Sequence, residues 1–201
     1  MTGRFVVLEG GDGSGKSTQH ERLARWLRDE GVDVVVTHEP GATALGAALR
    51  TLVLDGDVID ARAEALLMAA DRAQHIAEVV RPAIARGAWV VSDRHVPSSL
   101  VYQGVVRGLG VDTVAALSTF ATDALVPDLV IVLDVDDATA ESRRSPTADR
   151  MEREGQSFHA AVRHAYRDLG TRLGWCVLDG SGSPDHVAER VRDAVRPLLA
   201  D

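Results

Sequence analysis

The chain has 201 residues, of which 45% are apolar, so it is long enough to bury one substantial core. We predict a single domain over residues 1–201. Subtracting 30 acidic from 22 basic residues leaves a net charge of −8, which argues against nucleic acid as a partner. The lone Cys176, the lack of an apolar run near the ~20 residues that cross a bilayer, and the absence of a leader pattern predict a cytoplasmic protein without membrane contact.

Short apolar runs without a polar residue at every second position predict buried parallel strands, because a strand with one face in water would show that alternation. These runs are Phe5–Leu8, Val32–Val36, Trp89–Val91, Leu129–Leu133 and Trp175–Leu178. Stretches with helical spacing lie between or after them, at Lys16–Asp29, Ala61–Ile84, Val111–Ala124, Phe158–Leu173 and Pro184–Leu199. The alternation favours an α/β fold in which helices flank a central parallel sheet and ligands bind beyond the carboxyl ends of the strands. The charged stretch at residues 142–155 predicts a mobile surface segment.

Residues 10–17 match the phosphate-loop pattern G-x-x-x-x-G-K-[ST], and they lie between a predicted strand and a predicted helix. In such a loop, backbone N–H groups surround phosphate oxygens, the lysine reaches the β- and γ-phosphates, and the hydroxyl ligates magnesium. A glycine-rich turn that only caps a helix would explain the glycines but not the Lys-Ser pair. The predicted ATP contacts in this region are Gly10, Gly11, Asp12, Gly13, Ser14, Gly15, Lys16, Ser17 and Thr18.

Lys16 is the only lysine among the 22 basic residues. An ammonium group is more compact than the planar guanidinium of arginine, so a narrow phosphate site is a place where lysine would persist. The same count excludes the N-K-x-D motif with which G proteins recognise their base, and this disfavours a GTPase. Asp93 follows the predicted strand that begins at Trp89, and we predict that it holds Mg²⁺ together with Ser17. A role as N-cap of the helix that follows is the alternative for this aspartate.

Four blocks of sequence resemble the thymidylate kinase family, in the family's order and over nearly the whole chain. They are Leu8–Gln19, His38–Gly41, Asp93–Gly104 and Asp149–Gly155, with a weaker fifth block at Ala70–His75. The third block discriminates most, because P-loop proteins in general lack its Asp-Arg-x and Ser-Ser-x-x-Tyr-Gln-Gly sequences. The resemblance implies a P-loop nucleoside-monophosphate-kinase fold with a short lid at about residues 142–155. It also implies transfer of the γ-phosphate of ATP to dTMP, with Mg²⁺ as cofactor, by a homodimer.

The resemblance further implies roles for single residues. Arg94 and Arg50 would bind the dTMP phosphate, Arg72 would donate to a thymine carbonyl, Tyr102 would crowd the 2′ carbon, and Asp12 would accept from the 3′-hydroxyl. The implied substrate-binding set is Asp12, Glu39, Pro40, Arg50, Met68, Arg72, Arg94, Ser99, Tyr102 and Gln103. The implied catalytic set is Lys16, Arg94, Arg150 and Arg153, in which the last two would supply a transition-state cation from the lid, and Arg143 would contact ATP.

Two departures from the family pattern keep alternatives open. His38 stands where most members have arginine, and Met68 stands where they stack an aromatic ring on thymine. Methionine is apolar and polarizable but offers no ring face, which leaves room for looser base selectivity. A nucleoside-monophosphate kinase with another base preference, such as dUMP, is therefore one alternative. A P-loop ATPase that acts as a partner-binding switch is another, although a switch would not need the array of arginines predicted for the acceptor.

Overall fold

A computed structural model describes residues 3–143, 150–151 and 153–200. Its centre is a five-stranded sheet made of β1 (Phe5–Glu9), β2 (Val34–His38), β3 (Trp89–Asp93), β4 (Leu129–Asp134) and β5 (Cys176–Asp179). The strand order is β2-β3-β1-β4-β5, and every neighbouring pair is parallel. The predicted α/β fold with a central parallel sheet is confirmed.

Helices surround this sheet. They are α1 (Lys16–Asp29), α2 (Ala44–Arg50), α3 (Ala61–His75), α4 (Arg81–Ala85), α5 (Val96–Ser99), α6 (Val111–Thr122), α7 (Asp137–Ser142), α8 (Gln156–Leu173) and α9 (Pro184–Val195). π-helical turns continue α2 through Thr51–Asp55, α3 through Ile76–Val80 and α5 through Leu100–Val106, and a 3₁₀ turn, Arg196–Leu199, follows α9. Within the described residues, no helix has the length and apolar character needed to span a bilayer.

The sequence located the long helices better than the short ones. The bounds predicted for α1 are confirmed, whereas β2 begins at Val34 rather than Val32, because pairing with β3 starts there. The prediction missed α2, α5 and α7, which are too short to show a helical period. Local caps start two of these helices: the Thr43 hydroxyl accepts from the Gly46 N–H at 2.9 Å, and Asp136 accepts from the Thr139 N–H at 2.7 Å.

The side chains of β1 enter two different cores, although all of them are buried. Val6 and Leu8 pack with Leu27 and the apolar face of α9 on one side of the sheet. Phe5 and Val7 pack on the opposite side, against the chain that follows α3. Because helices cover both faces, every residue of the strand is apolar up to Glu9, and this explains the continuous run in the sequence.

Replacing Leu27 by alanine tests this packing. Leu27 is 0% exposed, so Leu27→Ala should lower the free energy of unfolding by about 2–5 kcal/mol, since the removed methyl groups leave a cavity. Urea denaturation followed by circular dichroism measures the loss. Leu173→Ala, at a position 48% exposed, is the matched control, with an expected change within about 0.5 kcal/mol. Equal losses in the two variants would contradict the placement of Leu27.

Candidate active site

The phosphate loop joins the buried end of β1 to the N-terminus of α1. A β-carbon at Gly13, where φ is 80°, would lie 2.2 Å from the Ala140 carbonyl oxygen, so only glycine fits there. Lys16 is 7% exposed, and its Nζ donates to the Gly11 carbonyl at 3.0 Å. Burial and the nearby Arg94 lower the pKa of Lys16. The loop thus brings an ammonium group and the positive end of a helix to one point.

Two cavities open on this loop and share the side chains of Asp12, Lys16 and Ser17. The first has a volume of about 490 Å³ and the second about 450 Å³. The first is lined by all ten residues predicted to bind the acceptor: Asp12, Glu39, Pro40, Arg50, Met68, Arg72, Arg94, Ser99, Tyr102 and Gln103. The second is lined by most of the predicted ATP contacts, namely Asp12, Gly13, Ser14, Gly15, Lys16, Ser17, Thr18 and Arg143, but not by Gly10 or Gly11.

Arg94 bridges the phosphate loop and the first cavity. Its Nη2 donates to Asp12 Oδ1 at 2.5 Å, and its Nη1 donates to Ser98 Oγ at 3.1 Å and to Tyr166 Oη at 3.3 Å. The guanidinium also lies 5.3 Å from the centre of the Tyr102 ring. Burial opposes its charge, but Tyr102 and Asp12 raise the pKa of Arg94 well above its ordinary value. This cation is therefore permanent and held in one orientation.

Glu9 lies behind Arg94 and is 0% exposed. It accepts hydrogen bonds from the His95 N–H at 2.8 Å, the Ser98 hydroxyl at 2.7 Å and the Tyr166 hydroxyl at 2.7 Å. Burial raises the pKa of Glu9, while Arg94 and these donors favour its charged form. Sequence reasoning gave Glu9 and Tyr166 no role, because they lie 157 residues apart and no local pattern links them.

Asp93 ends β3 and is paired in register with Leu8 of β1. Its Oδ2 accepts from the Ser17 hydroxyl at 3.2 Å, whereas its buried Oδ1 has no hydrogen-bond partner among the described residues. The predicted alternative for Asp93, an N-cap, is wrong, since His95 occupies that position of α5.

The carboxylate of Asp93 and the hydroxyl of Ser17 form a donor set suited to Mg²⁺, which keeps several waters and binds few protein oxygens. The buried Oδ1 of Asp93 has an unsatisfied acceptor, and a metal ion or a water bound to that ion would satisfy it. The described part of the chain contains no group of three acidic, histidine or cysteine side chains that could hold a metal alone. The fit is therefore to an ion that takes its other ligands from water and phosphate.

Arg72 lies on α3 at the far end of the first cavity and is 3% exposed. Its Nε donates to Glu39 Oε2 at 2.8 Å, and its Nη2 donates to Ser99 Oγ at 3.1 Å and to the His95 carbonyl at 3.2 Å. In the described part of the chain, no group accepts a hydrogen bond from Nη1. Since Arg72 lines the cavity, Nη1 is the donor that it offers to a bound molecule.

Glu39 holds Arg72 and two histidines together. Its Oε1 accepts from His75 Nδ1 at 2.8 Å and from His95 Nδ1 at 2.9 Å, and His75 Nε2 lies 2.7 Å from the Thr37 hydroxyl. Burial acts to raise the pKa of Glu39, but His95 and Arg72 hold it well below its ordinary value. Burial lowers the pKa of His95 despite the carboxylate beside it. The motif that contains Glu39 was evident in the sequence, whereas the contribution of His75 and Thr37 was not.

The remaining predicted acceptor residues differ in how firmly they are held. Arg50 is exposed and its Nη1 donates to the Pro40 carbonyl at 2.8 Å. Burial and Arg50 lower the pKa of His38, so this side chain is neutral near pH 7 and does not replace the charge of an arginine. Met68 and His38 both line the first cavity.

The arginines predicted in the lid lie in three different surroundings. Arg143 donates to the Gly180 carbonyl at 3.2 Å, beside the second cavity. Arg150 donates to the Val53 carbonyl at 2.8 Å and to Glu64 Oε2 at 2.6 Å, whereas Arg153 is exposed. Neither Arg150 nor Arg153 lines either cavity, so their catalytic role stays a prediction. Of the predicted lid, residues 144–149 and 152 lie outside the described residues.

Comparisons with known proteins agree with this geometry. The thymidylate kinase family model matches residues 8–191. The chain is 45% identical to the thymidylate kinase of Bifidobacterium longum subsp. infantis, over 100% of this chain and 89% of that protein. It is 48% identical to the enzyme of Leifsonia xyli subsp. xyli, over 94% and 93%. The crystal structure of thymidylate kinase from Ehrlichia chaffeensis aligns with a TM-score of 0.75 at 29% identity, over 89% of this chain and 93% of that one.

These matches cover nearly the whole chain, and the loop, the two cavities and the parallel sheet have the arrangement of a P-loop nucleoside-monophosphate kinase. The resemblance seen in the sequence is confirmed, and the chain belongs to the thymidylate kinase family.

Proposed function

We propose that the chain catalyses the reaction of its family, in which the γ-phosphate of ATP passes to dTMP and gives dTDP. The observation that carries this proposal is the pair of cavities that share Asp12, Lys16 and Ser17. With ATP in the second cavity and dTMP in the first, the reacting phosphates meet at the loop. Holding both reactants in line supplies much of the rate enhancement in phosphoryl transfer.

The residues at the phosphate end act through charge. Lys16 contacts the β- and γ-phosphates, and its Nζ would give up its hydrogen bond to the Gly11 carbonyl to do so. Arg94 binds the dTMP phosphate through two N–H groups, and Arg50 contacts the same phosphate. Transfer needs charge stabilisation on the migrating phosphoryl group more than a strong base. Arg150 and Arg153 would add that charge in a closed state. Arg153 is exposed, whereas Arg150 would first have to leave its pair with Glu64, which Arg107 would still accompany.

The residues at the other end of the cavity recognise the nucleoside. The free Nη1 of Arg72 donates to the C4 carbonyl of thymine, Ser99 and Gln103 complete the polar contacts, and Met68 packs on the base. Tyr102 would crowd a 2′-hydroxyl, and its own hydroxyl is buried without a hydrogen-bond partner among the described residues. Burial raises the pKa of Tyr102, so the phenol is neutral. These contacts favour a deoxynucleotide whose base offers a carbonyl.

The site also fits Mg²⁺, which Ser17 and Asp93 would hold, Asp93 through water. The ion neutralises charge on the phosphates of ATP when it is bound. The fit rests on the buried Asp93 Oδ1, which lacks a partner in the described part of the chain.

The assembly and location of the protein form a separate part of the proposal. The family resemblance favours a homodimer, and exposed apolar side chains support it, namely Leu66 of α3 at 59% exposure and Phe120 of α6 at 87%. The lone cysteine, which cannot close a disulfide within the chain, is in keeping with the cytoplasm.

ADP release with ATP and Mg²⁺ against dTMP, dUMP, UMP, dCMP, AMP and GMP tests the proposed function. We expect the highest kcat/KM with dTMP, because the cavity pairs a donor for a base carbonyl with an apolar surface. A control without acceptor should give only a small fraction of this rate. A control rate equal to the rate with dTMP would favour the ATPase switch, and a higher kcat/KM with dUMP would favour the other kinase alternative.

Replacing Arg94 by lysine tests the phosphate contact. Arg94→Lys keeps the charge but loses the planar fork, so we expect KM for dTMP to rise by at least about tenfold, the loss of roughly one charge-assisted hydrogen bond. KM for ATP should change less. Arg86→Lys is the matched control, because Arg86 is half-exposed and pairs only at 3.7 Å with Asp33. Equal changes in both KM values would mean that Arg94 mainly maintains the structure of the loop.

Replacing Asp93 by asparagine tests the proposed metal contact. Asp93→Asn keeps the shape but removes the charge, so the Mg²⁺ concentration that gives half-maximal turnover should rise by about tenfold, as for loss of an outer-shell partner. Steady-state rates at fixed ATP over a Mg²⁺ titration measure it. Asp185→Asn, at an exposed surface pair with Arg22, is the control and should leave the titration unchanged. An unchanged midpoint in Asp93→Asn would remove Asp93 from the metal site.

A further inference from the structure

Gln103 and Glu64 form a buried pair beside the first cavity. Gln103 lies in the π-helical turn after α5, lines the cavity and is 2% exposed, while Glu64 lies on α3 and is 1% exposed. The Nε2 of Gln103 donates to Glu64 Oε1 at 2.8 Å. No group in the described part of the chain donates a hydrogen bond to the Oε1 of Gln103. One end of the amide is therefore committed to the protein, and the other end is left for the cavity.

The charge of Glu64 decides which end of the amide is which. Arg150 Nη2 lies 2.6 Å from Glu64 Oε2, and Arg107 Nε lies 3.5 Å from Glu64 Oε1. A carboxylate between two guanidinium groups accepts hydrogen bonds and has no proton to donate. If the side-chain amide of Gln103 were rotated by half a turn, its Oε1 would face Glu64 Oε1 in a buried site, and the hydrogen bond between the two residues would be lost. Gln103 is therefore fixed with its NH₂ toward Glu64 and its carbonyl oxygen available to the cavity.

We propose that Glu64 is a positioning residue for base recognition, because it forces Gln103 to present an acceptor to the base. This inference rests on the proposed function of the cavity. Gln103 Oε1 as acceptor and Arg72 Nη1 as donor complement the N3–H and the C4 carbonyl of thymine or uracil. Cytosine has the opposite pattern, with an acceptor at N3 and an amine at C4. Glu64 thus excludes cytosine without touching the base.

The residue type at position 64 makes this role testable. Glutamine has the shape of glutamate, but its amide can donate as well as accept, so in Glu64→Gln the two amides can reverse together. Gln103 would then present NH₂ to the cavity in part of the molecules, and a donor there suits N3 of cytosine. The variant should lose catalytic efficiency with dTMP and lose less, or gain, with dCMP.

The experiment compares kcat/KM for dTMP and for dCMP in the wild type, Glu64→Gln and Arg107→Met. We expect the dTMP to dCMP ratio to fall by at least about tenfold in Glu64→Gln, since a site built to pair one polar pattern rejects a mismatched one strongly. Arg107→Met removes a charged neighbour of the same carboxylate but leaves Arg150 and the Gln103 bond in place. Its ratio should stay within about twofold of the wild-type value, as for a change in packing alone.

The outcomes separate a positioning role of Glu64 from a purely structural one. A fall confined to Glu64→Gln, with the ratio restored in the charge-keeping Glu64→Asp, supports the positioning role. An unchanged ratio in Glu64→Gln, with equal losses for both acceptors, overturns it and makes Glu64 a structural residue. If Glu64→Gln reacts too slowly to measure, calorimetric titration with dTMP and dCMP gives the ratio of their dissociation constants, which should shift in the same direction toward dCMP. A wild type without dTMP kinase activity would instead refute the proposed function.

Discussion

The position of Arg94 at the end of β3, beside β1, is the constraint on which the site depends. Because β1 and β3 are neighbours in register, the residue after Asp93 emerges next to the phosphate loop that follows β1. The guanidinium then contacts Asp12 in that loop and, through Tyr166, reaches α8. A φ of 72° at Arg94 sends the chain into this turn, an unusual conformation for a residue with a side chain. One partly buried cation thus joins two strands, the loop and a distant helix.

One arrangement recurs along the first cavity, in which a buried carboxylate orients a polar group that lines it. Glu39 fixes the guanidinium of Arg72, and Glu64 fixes the amide of Gln103. The carboxylate behind Arg94 does the same through hydroxyl groups. Buried charges are costly unless they are paired and hydrogen-bonded, and these groups are both. The arrangement gives a cavity whose polar groups point in set directions before any ligand enters.

The sequence predicted the parts of this site that depend on local pattern and missed those that depend on distance in the chain. The phosphate loop was predictable from its motif, the long helices from their period, and ten of the residues that line the first cavity from the family resemblance. Other residues that line it, such as Leu54 and Asp71, were not predicted. The partnership of Glu9 with Tyr166 and of His75 with Thr37 was not, since such contacts arise only when the sheet has formed. The order of the strands also had no local signal. The carboxylate Glu64 was likewise invisible as a site residue, because on a helix pattern it is only one more polar position.

The burial of Lys16 has a consequence for chemical labelling. It is the only lysine of the chain, and its Nζ is enclosed by the phosphate loop. An amine-directed reagent that reaches any lysine side chain must therefore react inside the nucleotide site. Acylation there would cancel the charge that we propose for phosphate binding, so one modification and the loss of nucleotide should coincide. Mass spectrometry of such a reaction would read the state of the loop from a single peptide, without background from surface lysines.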